Sequence, residues 1–386
     1  MIKDLVKNNK EYVINLRREF HSNPEVSFEE YETSKRVKEE LDKIGIEYVS
    51  AGGTGVVATI KGNKPGKTIA LRGDMDALTV KELNDIDFKS NNEGIMHACG
   101  HDGHTAMLLG AAKVLNELKD EINGTVKLFF QPAEEIAEGA HAMIKDGAME
   151  NVDSIFGIHL WSDIETGKVS VEDGQRMAAA DWFKINVKGK GGHGSAPQQC
   201  VDAVVVSSAI IMNLQTIVSR EIHPNESLVL SVGLLNAGSR FNVIAENGYM
   251  EGTARSFNPQ LRKNLPNMME RIIKSTAEAY RAEASLEFKF VTAPVINDPK
   301  CSKIAEKSVE KVLGKDGVTK FEKITGGEDI SHFMELAPGV LAFVGCRNEK
   351  KGACHPHHNG YFDIDEDALE IGTNLYVQYA IDFLNI

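Results

Sequence analysis

The 386-residue chain has only five cysteines, Cys99, Cys200, Cys301, Cys346 and Cys354. An odd, scattered set is too sparse for a disulfide framework and points to a reducing compartment. No stretch approaches the run of about 18 apolar residues that a bilayer crossing needs. The opening "MIKDLVKNNKEYVINLRREF" reads as a charged amphipathic helix, without the apolar run and small-residue cleavage site of a secretory signal. No dense Lys/Arg block appears, and 43 basic against 56 acidic residues leave a net charge of −13. Nucleic acid and membrane are therefore excluded as expected partners, and a soluble cytoplasmic protein is expected. Internal repeats and low-complexity tracts are also missing.

A chain of this length exceeds what one hydrophobic core usually organises, so two domains are expected. Up to about residue 178, apolar runs alternate with amphipathic segments: helix 31–44, strands 56–60 and 67–72, helix 104–118, strand 125–131, helix 135–147 and strand 154–159. This rhythm predicts βα units around a mostly parallel sheet, in which ligands gather at the carboxyl ends of strands. "IALRGDMD" delivers Asp74 and Asp76 to such an end, "VKLFFQPAEE" delivers Glu134 and Glu135, and "SIFGIHLW" delivers His159.

Beyond residue 180 the order becomes strand, helix 201–219, two strands, helix 266–281 and strand, which is the βαββαβ ferredoxin-like unit. Pro266 is expected to open its helix, where a missing amide costs nothing. From residue 292 the βα rhythm resumes with helices 299–313 and 328–335, the strand "GVLAFVG" and helix 365–384. The expected architecture is α/β: a discontinuous larger domain (1–179 and 292–386) interrupted by an inserted unit (180–291).

What the chain does have is clustered metal-ligand chemistry. "HACGHDGH" (97–104) and "HPHHN" (355–359) hold six of the twelve histidines. Cys99 and His101 offer a thiolate and an imidazole on one glycine-flanked loop, a donor pair suited to zinc, cobalt, nickel or iron, while carboxylates favour harder ions such as manganese. Glu135, His159 and one of His355, His357 and His358 are further candidates. Taken singly, His159 reads as a hydrogen-bonded core residue, "HPHH" as a solvated turn, and "EE" as a charged first helical turn stabilised by the macrodipole. A catalytic metal lowers the pKa of its water but still needs a base, and adjacent glutamates supply one ligand and one free carboxylate.

The ordered motifs "RGDMDAL", "MHACGHDGHTAMLLGAA", "QPAEE", "IHLW", "GKGGHGSAP" and "HHNGYFDIDE" resemble the aminoacylase and hippurate hydrolase family. These dinuclear metallo-amidohydrolases, related to zinc carboxypeptidases, include auxin-conjugate hydrolases and N-acetyl-diaminopimelate deacetylases. The similarity runs from "FHSNPEVSFEEYETS" to the terminal helix. It implies a zinc-peptidase-like catalytic domain holding two divalent ions (Zn, Mn, Co or Ni) and an inserted lid that also forms a homodimer or tetramer. By the same resemblance, the metal ligands are Cys99, His101, Glu135, His159 and His358, with His357 as fallback. Glu134 matches the general base, Asp76 the supporting aspartate, and His193 a lid histidine that polarises the substrate carbonyl, often in the partner's site. Asn242 and Arg255 match substrate contacts, and an arginine suits a substrate carboxylate. The implied reaction is hydrolysis of small N-acyl amino acids; the alternative is a dipeptidase or carboxypeptidase. Thr79, Ala245 and Gly360 stand where the family usually has proline, which questions loop geometry rather than chemistry.

Overall fold

A computed structural model describes residues 1–385, which divide into two compact units. The larger comprises 1–176, 296–322 and the chain from Asp329 onward. Its seven-stranded sheet runs in the order Glu47–Ser50, Val56–Lys61, Asn123–Gln131, Lys64–Asp74, Ser154–Glu165, Gly339–Arg347 and Val169–Ser170. The four strands from Asn123–Gln131 to Gly339–Arg347 are parallel neighbours, while the flanking pairings are antiparallel. Each parallel strand carries a buried apolar run, 69–71, 128–130, 155–158 and 340–344, as expected where both faces are covered. Helices His101–Glu117 and Asp367–Leu384 pack in the same core, which includes Leu108, Leu115, Leu128, Phe156 and Tyr376.

The smaller unit spans Met177–Val295 with Lys323–Glu328. Its strands Leu228–Ala237, Asn247–Ser256, Ala179–Lys188 and Glu283–Thr292 form one antiparallel sheet in that order, joined in βαββαβ sequence. Residues 323–328 are a correction to the expected boundaries. Ala178 N donates to Ile324 O at 3.1 Å, which attaches this later segment to the start of the smaller unit. By length and composition, helix Ala203–Glu221 is long and apolar enough to cross a membrane. Its Ala203, Val206, Ile210, Leu214 and Ile217 are instead buried in the core of the smaller unit.

Two helices differ from the sequence pattern. The helix expected from Pro266 begins at Pro259, where the Asn258 side chain accepts from Gln260 N and Leu261 N. A proline does sit at the start, but it is Pro259, and Pro266 lies inside. The helix expected over 135–147 is shortened to Gly139–Lys145. Ala133 (φ 51°) and Ala137 (φ 56°) are left-handed, so 133–138 is a coiled turn.

A buried polar chain fixes the amino end of helix His101–Glu117. Arg17 Nε donates to Asp102 Oδ2 at 2.8 Å, and the same oxygen lies 2.7 Å from His21 Nδ1. His21 Nε2 is 3.2 Å from Glu82 Oε1. The next residues, Leu83 and Asn84, bond the carbonyls of Gly360 (2.7 Å) and Phe362 (3.0 Å). The loop carrying Thr79 and the segment carrying Gly360 are thus stitched together. A Cβ at Gly360 would stand 2.5 Å from Lys81 O, so this packing excludes any larger residue there.

Burial and Arg17 push the His21 pKa down, but its hydrogen bonds to Asp102 and Glu82 prevail and raise it. A raised folded-state pKa gives stability that is full below the unfolded value of about 6.5 and is lost as pH rises through the folded value. His21→Gln is therefore expected to cost about 3 kcal/mol at acid pH, as for removal of one partner from a buried ion pair. The deficit relative to wild type should narrow in alkali, measured by urea unfolding of chelator-treated protein across a pH series. A deficit constant with pH would contradict a charged His21.

Candidate metal centre

The chain delivers its donors from strand ends and loops, where the backbone is free to turn. Asp74 ends one parallel strand, the "PAEE" turn follows the next, and His159 lies within a third. Gly100 (φ 89°) opens helix His101–Glu117 and sets Cys99 just outside it and His101 at its first position. His358 adopts a left-handed φ of 62°, a strained conformation of the kind that clusters at functional sites.

These side chains meet. Cys99, His101 and His159 form one triad whose donor atoms all lie within 4.8 Å of one another, and Cys99, Glu135 and His358 form another. Cys99 belongs to both. Its Sγ is 3.6 Å from His159 Nε2, His101 Nε2 is 3.9 Å from Glu135 Oε1, and His358 Nε2 is 3.6 Å from Glu135 Oε2. Glu134 joins His101 and Glu135 within the same 4.8 Å limit. His357 is turned to other partners: Nε2 donates to Leu160 O at 2.9 Å and Nδ1 lies 3.1 Å from Ser162 Oγ. Of the adjacent histidines, His358 alone faces Glu135.

The other histidines of "HACGHDGH" have separate fates. His97 is buried and makes no hydrogen bond among the described residues. His104 Nδ1 donates to Asp74 Oδ1 at 2.6 Å, and its Nε2 accepts from Leu160 N at 2.8 Å, so both nitrogens are committed. His101 Nδ1 donates to Asp76 O at 2.9 Å, with Asp76 Oδ1 at 3.2 Å, which turns Nε2 toward the cluster; burial pushes the imidazole pKa down, but Asp74 and the Asp76 hydrogen bond prevail and raise it well above its ordinary value. His159 is oriented likewise by Nδ1 donating to Leu160 O at 2.7 Å.

The donor set fits a cation. His101 Nε2 and Glu135 Oε1 are buried without a hydrogen-bond partner, an arrangement costly unless something charged sits between them. Burial pushes the Cys99 thiol well above its ordinary value, and Glu135 adds to the effect. Burial also raises the Glu135 carboxyl to about 7, with His101 opposing and Asp76 and Asp74 reinforcing. Burial, His104 and His357 hold the His159 imidazole well below its usual range, which favours the neutral ligand form. Cys99 and Glu135 could hold a cation as anions, and binding one would displace the protons that burial favours on them.

Behind the donors lies a layer of which sequence reasoning named only Asp74 and Asp76. Asp74 is fully buried, paired with Arg72 Nη1 at 2.6 Å, and Arg72 also reaches Gln131 (2.7 Å) and Asp329 (3.1 Å). Asp76 Oδ2 accepts from Ser27 Oγ (2.6 Å) and from Glu135 N (3.0 Å), so it holds both His101 and the glutamate turn. The "GDMD" strand end signalled Asp74. Arg72, Gln131 and Asp329 carried no local signal.

On the smaller unit, His193 and Asn242 are neighbours. The short ladder pairs His193 with Val243, and Gly194 N donates to Asn242 O at 3.0 Å. His193 is exposed, with Nδ1 2.8 Å from Ser195 Oγ. Arg255 lies opposite Ala180 and Val229 in the sheet, and burial lowers its pKa against the pull of Asp181.

Residues 70–382 match the family described as peptidase family M20/M25/M40. The chain is 43% identical to thermostable carboxypeptidase 2 of Saccharolobus solfataricus, covering 100% of this chain and 98% of that one. It is 46% identical to an N-acyl-L-amino acid amidohydrolase of Geobacillus stearothermophilus, over 77% and 80% of the two chains. A crystal structure of a Bacillus subtilis protein, described as a dinuclear metal binding peptidase of the M20 family, is 34% identical. It superposes with a TM-score of 0.88 over 98% of this chain and 99% of that one.

Because Cys99 belongs to both triads, Cys99→Ala is expected to weaken the whole centre. The loss of divalent-metal affinity should exceed the roughly 10–100-fold that loss of an outer partner causes. Metal analysis after dialysis against a graded chelator series checks this, and undiminished affinity would remove Cys99 from the ligand set.

Proposed function

The chain belongs to peptidase family M20/M25/M40, and from that premise we propose that it hydrolyses the amide bond of N-acyl amino acids, releasing a carboxylic acid and a free amino acid. The observation that carries this is the convergence of Cys99, His101, Glu135, His159 and His358 beside a second glutamate, Glu134. Similarity to an N-acyl-L-amino acid amidohydrolase supports the substrate class. Those five residues would hold two divalent cations, of zinc, manganese, cobalt or nickel, whose chemistry when bound is to polarise the amide carbonyl and acidify water. Glu134 takes a proton from the attacking water and returns it to the departing amine nitrogen. Asp76 fixes the His101 tautomer and holds the Glu135 amide, so the acceptor set stays preorganised.

The smaller unit is assigned the role of lid and dimerisation module. Its His193 supplies a donor to the carbonyl oxygen as negative charge develops there, Arg255 takes the substrate carboxylate, and Asn242 contacts substrate. Exposed Val204, Val205 and Met212 on one helix, with Leu234 and Leu235 on an edge strand, support a homodimer or tetramer through this unit. Five free cysteines suit the reducing cytoplasm.

The carboxypeptidase similarity, which covers the whole chain, favours a second reading as a peptidase acting on short peptides. A panel of N-acetyl, N-benzoyl and indole-acetyl amino acids and N-acetyl-diaminopimelate, run beside dipeptides on metal-reconstituted protein, separates the two. Acyl amino acids should have at least about tenfold higher kcat/KM; the reverse order establishes the peptidase. On the best substrate, Glu134→Gln should lower kcat by about 10²–10⁴-fold with bound metal unchanged, and an undiminished kcat would remove Glu134 as base. Mixing inactive His193→Ala with inactive Glu134→Ala protein should restore part of the activity if His193 serves the partner's site, and no recovery would confine it to its own subunit.

A further inference from the structure

The motif "FHSNPEVSFEEYETS" contributes no donor to the metal centre, yet Glu30 within it is fully buried. Its Oε2 accepts from Thr54 Oγ1 at 2.5 Å, and its Oε1 accepts from Ala133 N at 2.8 Å. Ala133 immediately precedes the proposed base. It is a non-glycine residue at φ 51°, a conformation that persists only where the surroundings hold it.

The surroundings do hold it. Ala133 O accepts from Glu138 N (3.3 Å) and Gly139 N (3.2 Å), while Ala137 N donates to Glu134 O at 2.7 Å. The turn is so closed that a Cβ at Gly139 would stand 1.6 Å from Pro132 O. Three buried carboxylates from elsewhere in the larger unit catch its amides: Glu30 takes Ala133 N, Asp76 takes Glu135 N at 3.0 Å, and Asp329 takes Ala140 N at 3.0 Å. Glu134 is thus bracketed on its two sides by Glu30 and Asp76. Asp76 also serves His101, whereas the Glu30 carboxylate, among the described residues, takes Thr54, Ala133 N and its own backbone amide. Were Ala133 to relax to the ordinary right-handed region, its φ would rotate by roughly 110° and carry Glu134 away from the cluster.

We propose that Glu30 is a positioning residue for Glu134: its buried carboxylate holds Ala133 in the left-handed conformation that aims the base at the metal centre. This rests on the reading of Glu134 as general base. The reacting group acts only when placed to within a fraction of an ångström, and a displacement of about 1 Å costs up to about 100-fold in rate.

The test compares Glu30→Ala, Glu30→Gln and Thr54→Val in metal-reconstituted full-length protein, reading kcat, KM and bound metal on the best acyl amino acid. Glu30→Ala is expected to lose about 30–100-fold in kcat with KM within about twofold and metal content unchanged. Glu30→Gln, whose amide oxygen still accepts from Ala133 N, should retain at least about a third of wild-type kcat. A wild-type kcat in Glu30→Ala overturns the proposal, as does a loss that merely follows lost metal or one that Glu30→Gln fails to rescue. Should Glu30→Ala not fold, Thr54→Val decides: removing one of the two donors that orient the carboxylate should lower kcat by about three- to tenfold, and an unchanged kcat overturns the proposal. Glu134→Gln run in parallel keeps the failures apart. If that variant is active, the base reading falls; if it is inactive while Glu30→Ala is fully active, only the positioning role falls.

Discussion

His101 Nε2 and Glu135 Oε1 are withdrawn from water with no hydrogen-bond partner, and this desolvation is the constraint around which the larger unit is built. An unsatisfied buried donor or acceptor costs about 1–3 kcal/mol, and more when charged. A hydrogen bond would satisfy either atom singly. Satisfying them together, along with Cys99 and two further imidazoles within a few ångströms, takes a cation that accepts lone pairs from all of them. The raised pKa values of Cys99 and Glu135 point the same way, since burial disfavours both anions and a positive charge beside them would favour both.

The constraint explains why so many acids lie beneath the donors. An imidazole ligand has to present one nitrogen unprotonated, which requires an acceptor for the other. Asp76 serves His101 and the carbonyl of Leu160 serves His159. Buried carboxylates are tolerated because each receives several donors. Asp74 takes Arg72 and His104, and Asp76 takes Ser27, His101 and the Glu135 amide. Burial alone would raise the Asp76 pKa, but hydrogen bonds from His101 and Ser27 lower it and keep the anion. Arg72, shared by Asp74, Gln131 and Asp329, ties the end of a central strand to the amino end of the helix after residue 329. The fold thus supplies a rigid set of acceptors, and the donors that face the centre are those left over.

Much of this was legible from the chain alone, because strand ends and ligand types are local properties. A short apolar run ending in "GDMD", "PAEE" or "HLW" marks a parallel strand whose last residues emerge at a ligand-binding edge. Cys99 and His101 declare themselves by chemistry. What escaped was set by tertiary packing. The 135–147 segment has a helical composition, but left-handed Ala133 and Ala137 shorten the helix, and the carboxylates that hold the turn come from residues 30, 76 and 329. Pro266 sits inside a helix whose start is fixed earlier by Asn258, and local propensity does not outweigh that cap together with the buried Leu265, Met269 and Ile273. Residues 323–328 join the smaller unit through a backbone pairing with Ala178, which no composition records. The contacts that turn His357 away from Glu135, to Leu160 O and a serine hydroxyl, are likewise tertiary.

The same division between donors and scaffold bears on substrate choice. The metal cluster cannot by itself distinguish an acyl amino acid from a peptide, since both present an amide carbonyl beside a carboxylate. Discrimination has to come from surfaces outside the cluster, where a methylene or a ring is worth only about 1–3 kcal/mol. Leu83, Ile136 and Tyr361 are exposed apolar side chains adjoining the segments that hold Glu82, Glu135 and His358. Two of them, Leu83 and Tyr361, belong to the strands of chain stitched together by Leu83 N to Gly360 O and Asn84 Nδ2 to Phe362 O. Thr79 and Gly360, which replace family prolines, lie in these same two segments. A proline ring at 360 would collide with Lys81 O in the packing seen here, so the two loops must have adjusted to each other. Two of the three departures, Thr79 and Gly360, therefore fall where two loops of the larger unit pack on each other, and the third, Ala245, lies in the smaller unit.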